Sequence, residues 1–267
     1  MVDDPGALLA HALDLGREAG ALALRRRREG VAVAATKSSA VDIVTAADQE
    51  VEALIRSRLA AERPGDGFAG EESAAAASET GLTWVVDPID GTVNYLYGIP
   101  QWGVSIAAVT GAADPATWTV LAGVVVAPAL DETYAAALGG GATCNDRTIA
   151  VAAPVSLAQS LFATGFAYDA AIRATQAASV AALIGEVRDI RRIGAASIDL
   201  CAVAAGRIDA YAERGLRPWD FAAGVRIAAE AGAVVDVRDV RGDRRLVSAA
   251  APTVAEELRG ALQRTGL

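Results

Sequence analysis

Two patterns of apolar residues divide this chain, and together they leave few folds open. Between Trp84 and Ala137, short apolar runs follow one another with only turn residues between them: Trp84–Val86, Val104–Val109, Thr117–Val126 and Glu132–Ala137, punctuated by Pro128 and Asp131. Such spacing predicts an antiparallel meander. From Leu161 onward the runs alternate with segments of helical period. Strands are expected at 161–164, 187–190, 209–212, 234–237 and 246–249, and helices at 170–184, 195–205, 221–231 and 254–263. Before the meander come two helices, 5–28 and 48–61, the second with Val51, Leu54, Ile55 and Leu59 on one face. Thr45, with Asp48 three residues on, reads as its cap. Gly65-Asp66-Gly67 forms a turn, and 68–70 a short strand into Glu71-Glu72. The class is α/β with stacked layers, an antiparallel-sheet N-terminal half and an α/β C-terminal half. After the Gly139-Gly140-Gly141 turn a boundary is placed near Asn145, dividing the chain into 1–144 and 145–267.

Composition removes several functions. The net charge is −9 and the pI about 4.7, so a nucleic-acid surface is not expected. An anionic substrate would be repelled unless bound cations reversed the local sign. The basic run Arg25–Arg28 suits the C-terminal end of the first helix. Cys144 and Cys201 form no CxxC pair and read as reduced thiols of a cytoplasmic protein. His11 is the sole histidine, which discounts a His-based zinc site or a Ser-His-Asp triad. The opening Met1-Val2-Asp3-Asp4 is acidic and unlike a secretory signal. The uncharged stretch 148–168 is interrupted by Pro154, Gln159 and Gly165 and does not read as a membrane helix.

Against this background the acids at element ends stand out. Asp87 and Asp90 flank Pro88-Ile89 where an apolar strand ends, and Gly91-Thr92 follows. Like charges this close repel, more so when buried. Pro88 fixes the backbone and Gly91 frees it, so the geometry is specified. Glu71 and Glu72 end another strand, Asp220 opens a helix and Asp48 sits in the first turn of one; taken singly, Asp48 and Asp220 could be caps. A calcium loop of EF-hand type needs a different spacing. Oxygen donors without histidine point to Mg²⁺ or Mn²⁺. Asp87, Asp90 and the Ile89 carbonyl could share an ion, with Glu71 on one ion and Asp220 on a second. Paired cations would clamp both ends of an in-line phosphoryl displacement, and the Gly91 and Thr92 amides could hold a phosphate. These are the parts of a metal-dependent phosphatase.

The segments "GEES", "DPIDGTVNYLYGIP" and "RPWDFAAGVRIAAEAGA" resemble the inositol monophosphatase family of Mg²⁺-dependent, lithium-sensitive sugar phosphatases, as do "KSSAVDIVTAADQEVE", "TGFAY" and "RRIGAASIDLCAVAAGRIDAYAE". The likeness covers nearly the whole chain. It implies an αβαβα sandwich. It implies a first metal on Glu71, Asp87 and the Ile89 carbonyl, a second on Asp87, Asp90 and Asp220, and a weaker third near Glu71. Mn²⁺ would substitute and Li⁺ inhibit. It further implies that Thr92, paired with Asp48, orients and helps deprotonate the attacking water. Lys37 lies on the loop that corresponds to the family's mobile N-terminal loop, in reach of the phosphate. Glu213, Gly194, Ala195 and Ala196, together with Asp90 and Asp220, would meet the substrate hydroxyls. Ala195 replaces a frequent Ser or Thr, and Ala233 replaces a common Gly. The implied substrate is myo-inositol 1-phosphate or a related polyol phosphate, and the implied assembly a homodimer without nucleic-acid or membrane partners. Histidinol phosphate and other small sugar or nucleotide phosphates are alternative substrates. A catalytically silent binding or regulatory protein on the same fold is the alternative outside enzymology.

Overall fold

A computed structural model describes residues 4–31, 33–36, 43–111, 114–241 and 244–267. Helix α1 (Pro5–Glu29) is capped by Asp4 and leads to a small hairpin, β1 (Val33–Thr36) and β2 (Ile43–Thr45). Helix α2 (Ala46–Glu62) follows, then β3 (Gly67–Gly70), β4 (Leu82–Asp90), the short α3 (Thr92–Tyr97), β5 (Gly103–Thr110), β6 (Val120–Ala127), β7 (Glu132–Ala137), β8 (Ala142–Cys144) and β9 (Arg147–Thr148). The strands from β3 to β9 form one sheet in sequence order, antiparallel throughout except that β3 runs parallel to β4. Next come β10 (Leu161–Ala163), α4 (Ala170–Leu183), β11 (Asp189–Arg191), α5 (Ala196–Ala204), β12 (Ala210–Leu216), α6 (Pro218–Glu230), β13 (Val234–Arg241), β14 (Arg244–Ala250) and α7 (Ala255–Thr265). Their sheet has the order β11-β10-β12-β14-β13, parallel among the first three strands and antiparallel among the last three.

Alternation along the central strands sets the layers. On β4, Trp84 and Val86 face the cluster that holds Leu8 and Leu15 of α1 and Val51 and Ile55 of α2. Val85 points the other way, into the cluster shared by α5, α6 and both sheets. A third cluster, with Leu183, Leu258 and Leu262, covers the far face of the second sheet with α4 and α7. The order is helices, sheet, helices, sheet, helices, as the αβαβα expectation had it. Among the described residues no helix is long and apolar enough to cross a membrane.

Two differences from the sequence reading bear on the site. The strand expected at 84–86 runs on through both aspartates to Asp90. Asp87 pairs with Ser105 and Asp90 with Gly103, so β4 carries one residue more than β5 over this stretch. That is a β-bulge, the one place where a sheet interior accepts a residue such as Pro88. The strand expected from Thr117 begins only at Val120, because Asp114 organises a turn by accepting the Ala116 N–H at 3.0 Å. The parallel β3 and the short β1, β2, β8 and β9 have too few residues to show a period.

Candidate active site

Helix α2 and the end of β4 meet at Asp48 and Thr92. Asp48 is buried in the first turn of α2, where its Oδ2 accepts the Thr45 N–H at 2.9 Å and the Thr45 hydroxyl. Its other oxygen faces Thr92, whose Oγ1 lies 3.2 Å from Asp48 Oδ1 and 3.0 Å from the Ile89 carbonyl. One hydroxyl proton thus has two acceptors within reach. The bulge is locked by Asp87, whose Oδ1 accepts the Ile89 N–H at 3.0 Å, an Asx-type turn. Gly91 then takes φ +88, and a Cβ there would come within 3.0 Å of the Ala195 Cβ and 3.1 Å of the Gln101 carbonyl. Only glycine combines that backbone with that approach.

Most of the other acids are fixed by backbone amides too. Asp90 receives the Ser197 N–H at 2.7 Å, the Ser197 hydroxyl at 2.5 Å and the Ala196 amide, so a β4 carboxylate caps α5 from the far half of the chain. Burial nevertheless pushes its carboxyl up to about 6, with Glu71 adding to the rise. Asp220, in the first turn of α6, accepts the Arg217 N–H at 2.7 Å. Burial, then Glu71, raise it well above the usual carboxylate range. Glu71 sits on a turn held by buried Glu52, which accepts the Glu72 N–H at 2.8 Å. Glu213 accepts the Tyr211 hydroxyl at 2.9 Å. A Cβ at residue 165 would collide with the Glu213 carboxylate, so Gly165 of "TGFAY" makes its seat. Burial pushes Glu213 up to about 7 against the opposing pull of Tyr211 and Arg192.

These residues surround one cavity of about 110 Å³, room for a few waters. Glu71, Asp87, Ile89, Asp90, Gly91 and Thr92 line it, together with Gly194, Ala196, Glu213 and Asp220. Asp48 lies buried behind Thr92, and Ala195 is buried with its Cβ toward Gly91. Lys37 lies outside the described residues. Sequence reasoning missed Arg192, Phe166 and Tyr168 on the cavity surface. It also missed Glu52, Ser197 and Asp199. The last is buried, neither of its oxygens has a hydrogen-bond partner among the described residues, and burial, Glu213 and Asp90 hold it well above the usual range. Glu52 had a signal, since it lies four residues after Asp48 on the same helical face.

The donor set suits a hard divalent cation: carboxylates and the Ile89 carbonyl, without sulfur or imidazole. Among the described residues no three acids already converge as an ion cage. Asp90 and Asp220 are raised first by burial and then by neighbouring carboxylates such as Glu71, and a bound cation would relieve both costs.

Fold and site together define a phosphatase-type sandwich, and the chain belongs to the inositol monophosphatase family, whose sequence model matches residues 4–265. Inositol-1-monophosphatase SuhB of Mycobacterium tuberculosis is 45% identical over 260 residues, covering 93% of this chain and 88% of that one. A solved structure of Mycobacterium tuberculosis SuhB superimposes with a TM-score of 0.85 at 43% identity, covering 98% of each chain. The Nus factor SuhB of Escherichia coli K12 is 34% identical over 271 residues, covering 96% of this chain and 99% of that one.

Proposed function

We propose that the protein is a Mg²⁺-dependent phosphomonoesterase that hydrolyses myo-inositol 1-phosphate and related polyol phosphates. The observation that carries the reading is the Thr92 hydroxyl, 3.2 Å from buried Asp48 at the edge of an acid-lined cavity. Glu71, Asp87 and the Ile89 carbonyl would hold one cation, and Asp87, Asp90 and Asp220 a second. Bound there, the cations would polarise the phosphoryl oxygens and lower the pKa of water.

The chain's own groups do the rest. The Gly91 and Thr92 amides receive the phosphate oxygens. Water attacking phosphorus gives its proton to Thr92 Oγ1 as Thr92 passes its own to Asp48 Oδ1. Asp48 Oδ2 accepts from Thr45 while Oδ1 faces the Thr92 hydroxyl at 3.2 Å, which makes Oδ1 the oxygen placed for this exchange. The ester oxygen departs and takes up a proton from solvent. Glu213 accepts substrate hydroxyls, with the backbone at 194–196 beside it. Residues 1–144 thus carry most of the metal ligands, while 145–267 close the site and contribute Asp220 and Glu213. The reading extends to a cytoplasmic homodimer inhibited by Li⁺.

Phosphate release by the purified protein with Mg²⁺ tests it, over a panel of myo-inositol 1-phosphate, histidinol phosphate and other sugar phosphates. Preference for histidinol phosphate would move the substrate assignment. Absence of release from every ester by folded protein would favour a binding role.

A further inference from the structure

One basic side chain lines the cavity among the described residues, and nothing in the scheme above uses it. Arg192 follows β11 on an exposed segment. It makes no hydrogen bond or ion pair among the described residues, yet it is not adrift. Its Nη1 lies where a side chain at Gly194 would begin, so the guanidinium rests on the Gly194 backbone beside Asn94. Asn94 is buried, and its amide donates to the Gln101 carbonyl at 2.7 Å and the Ile193 carbonyl at 2.9 Å. The backbone under Arg192 is thereby tied to α3, the helix that begins at Thr92. Glu213, also on the cavity lining, is fixed by Tyr211 and Gly165. Arg192 acts electrostatically on both Glu213 and the buried Asp199.

We propose that Arg192 and Glu213 form a donor–acceptor pair that selects an uncharged diol on the substrate and rejects a phosphate ester of an amino alcohol. The inference rests on the phosphatase reading. Charge counting supports it. Glu71, Asp87, Asp90 and Asp220 would be offset by divalent cations, leaving one carboxylate, Glu213, and one guanidinium, Arg192, on the rest of the lining. That end of the cavity then carries no net negative charge. Glu213 alone would attract an ammonium group; with Arg192 beside it, a cation meets its own sign. A diol suits both partners, because a guanidinium only donates and a carboxylate only accepts, while each hydroxyl can do either. The planar fork of Arg192 can serve adjacent hydroxyl oxygens, which a lysine could not reproduce.

The test measures kcat and KM at saturating Mg²⁺ for wild type, Arg192→Gln and Arg192→Lys on myo-inositol 1-phosphate, histidinol phosphate and glycerol 2-phosphate, which lacks a vicinal diol. Arg192→Gln is expected to raise KM for the inositol ester about tenfold to a hundredfold, the scale of one charge-assisted hydrogen bond. Its kcat should stay within about threefold, and KM for glycerol 2-phosphate should change little. KM for histidinol phosphate should fall. Arg192→Lys should keep the rejection of histidinol phosphate but lose most of the diol affinity. If Arg192→Gln shifts all three esters equally, or none, Arg192 only balances charge and the inference is overturned while the phosphatase reading stands. A wild type that releases phosphate from none of them overturns both.

Discussion

The two sides of the cavity are built on different principles. On the side proposed to hold metal and phosphate, Asp48, Asp87, Asp90 and Asp220 each accept a backbone N–H, from Thr45, Ile89, Ser197 and Arg217 respectively. Main-chain amides cannot mutate away, and they fix a carboxylate rotamer as firmly as the element that carries them. On the side proposed for recognition the contacts are between side chains: Tyr211 holds Glu213, and Arg192 has no hydrogen bond among the described residues. The first arrangement suits chemistry, where small displacements cost large factors in rate. The second can be retuned by substitution without disturbing the first. Changes on the chemical side should therefore appear in kcat, and changes on the recognition side in KM.

The largest effect is expected from Asp90→Asn. Its amide oxygen can still accept the Ser197 N–H, so the fold should stay, with Tm within a few degrees of wild type. Loss of an anionic ligand should nonetheless remove essentially all turnover. Near-normal phosphate release at millimolar Mg²⁺ would take Asp90 out of the site. Next is Thr92→Ala, expected to lower kcat ~10²–10⁴-fold, the range for lost proton-transfer assistance, with KM little changed. Asp48→Asn should match it, and the double variant should be little worse than either single, because the two act as one unit. Multiplying losses would break that unit. On the opposite side, Glu213→Gln should raise KM about tenfold with kcat nearly kept, since a charged acceptor is exchanged for a neutral one.

The smallest effect separates the two sides by pH. In metal-free protein Asp90 is raised from 3.8 to about 6 and Glu213 from 4.5 to about 7. Between these values the folded chain holds protons that the unfolded chain has released. These two groups should therefore make stability fall as pH rises through about 4 to 7, and Asp220 and Asp199, also raised, add to the fall. Mg²⁺ should raise Tm and reverse the share due to Asp90 but leave that of Glu213, which Glu213→Gln should then remove. A Tm indifferent to EDTA and Mg²⁺ across this range would contradict a preformed acidic cluster.

The same contrast governs what the sequence discloses. The acids from Asp87 to Thr92 are neighbours in the chain, so their crowding, the flanking Pro88 and Gly91, and the turn they imply could be read directly. The layering could be read as well, because strand and helix periods repeat along each half. Arg192 and Ser197 could not, and Glu52 showed only as a helical neighbour of Asp48. Arg192 reaches the cavity only because folding brings its segment against Asn94, which is distant in the chain. Ser197 reads as an ordinary first-turn serine until Asp90 is found above it. The bulge that carries β4 through Pro88 depends on the register with β5, which no local pattern records.

In the proposed function one side of the cavity performs the chemistry and the other chooses the substrate. Steady-state phosphate release from myo-inositol 1-phosphate at saturating Mg²⁺ tests it most directly, with wild type, Thr92→Ala and Glu213→Gln measured side by side. The expected outcome is a wild type that turns over, a Thr92→Ala variant reduced in kcat at nearly constant KM, and a Glu213→Gln variant raised in KM at nearly constant kcat. A folded wild type that releases no phosphate, or two variants that move the same constant, would contradict it.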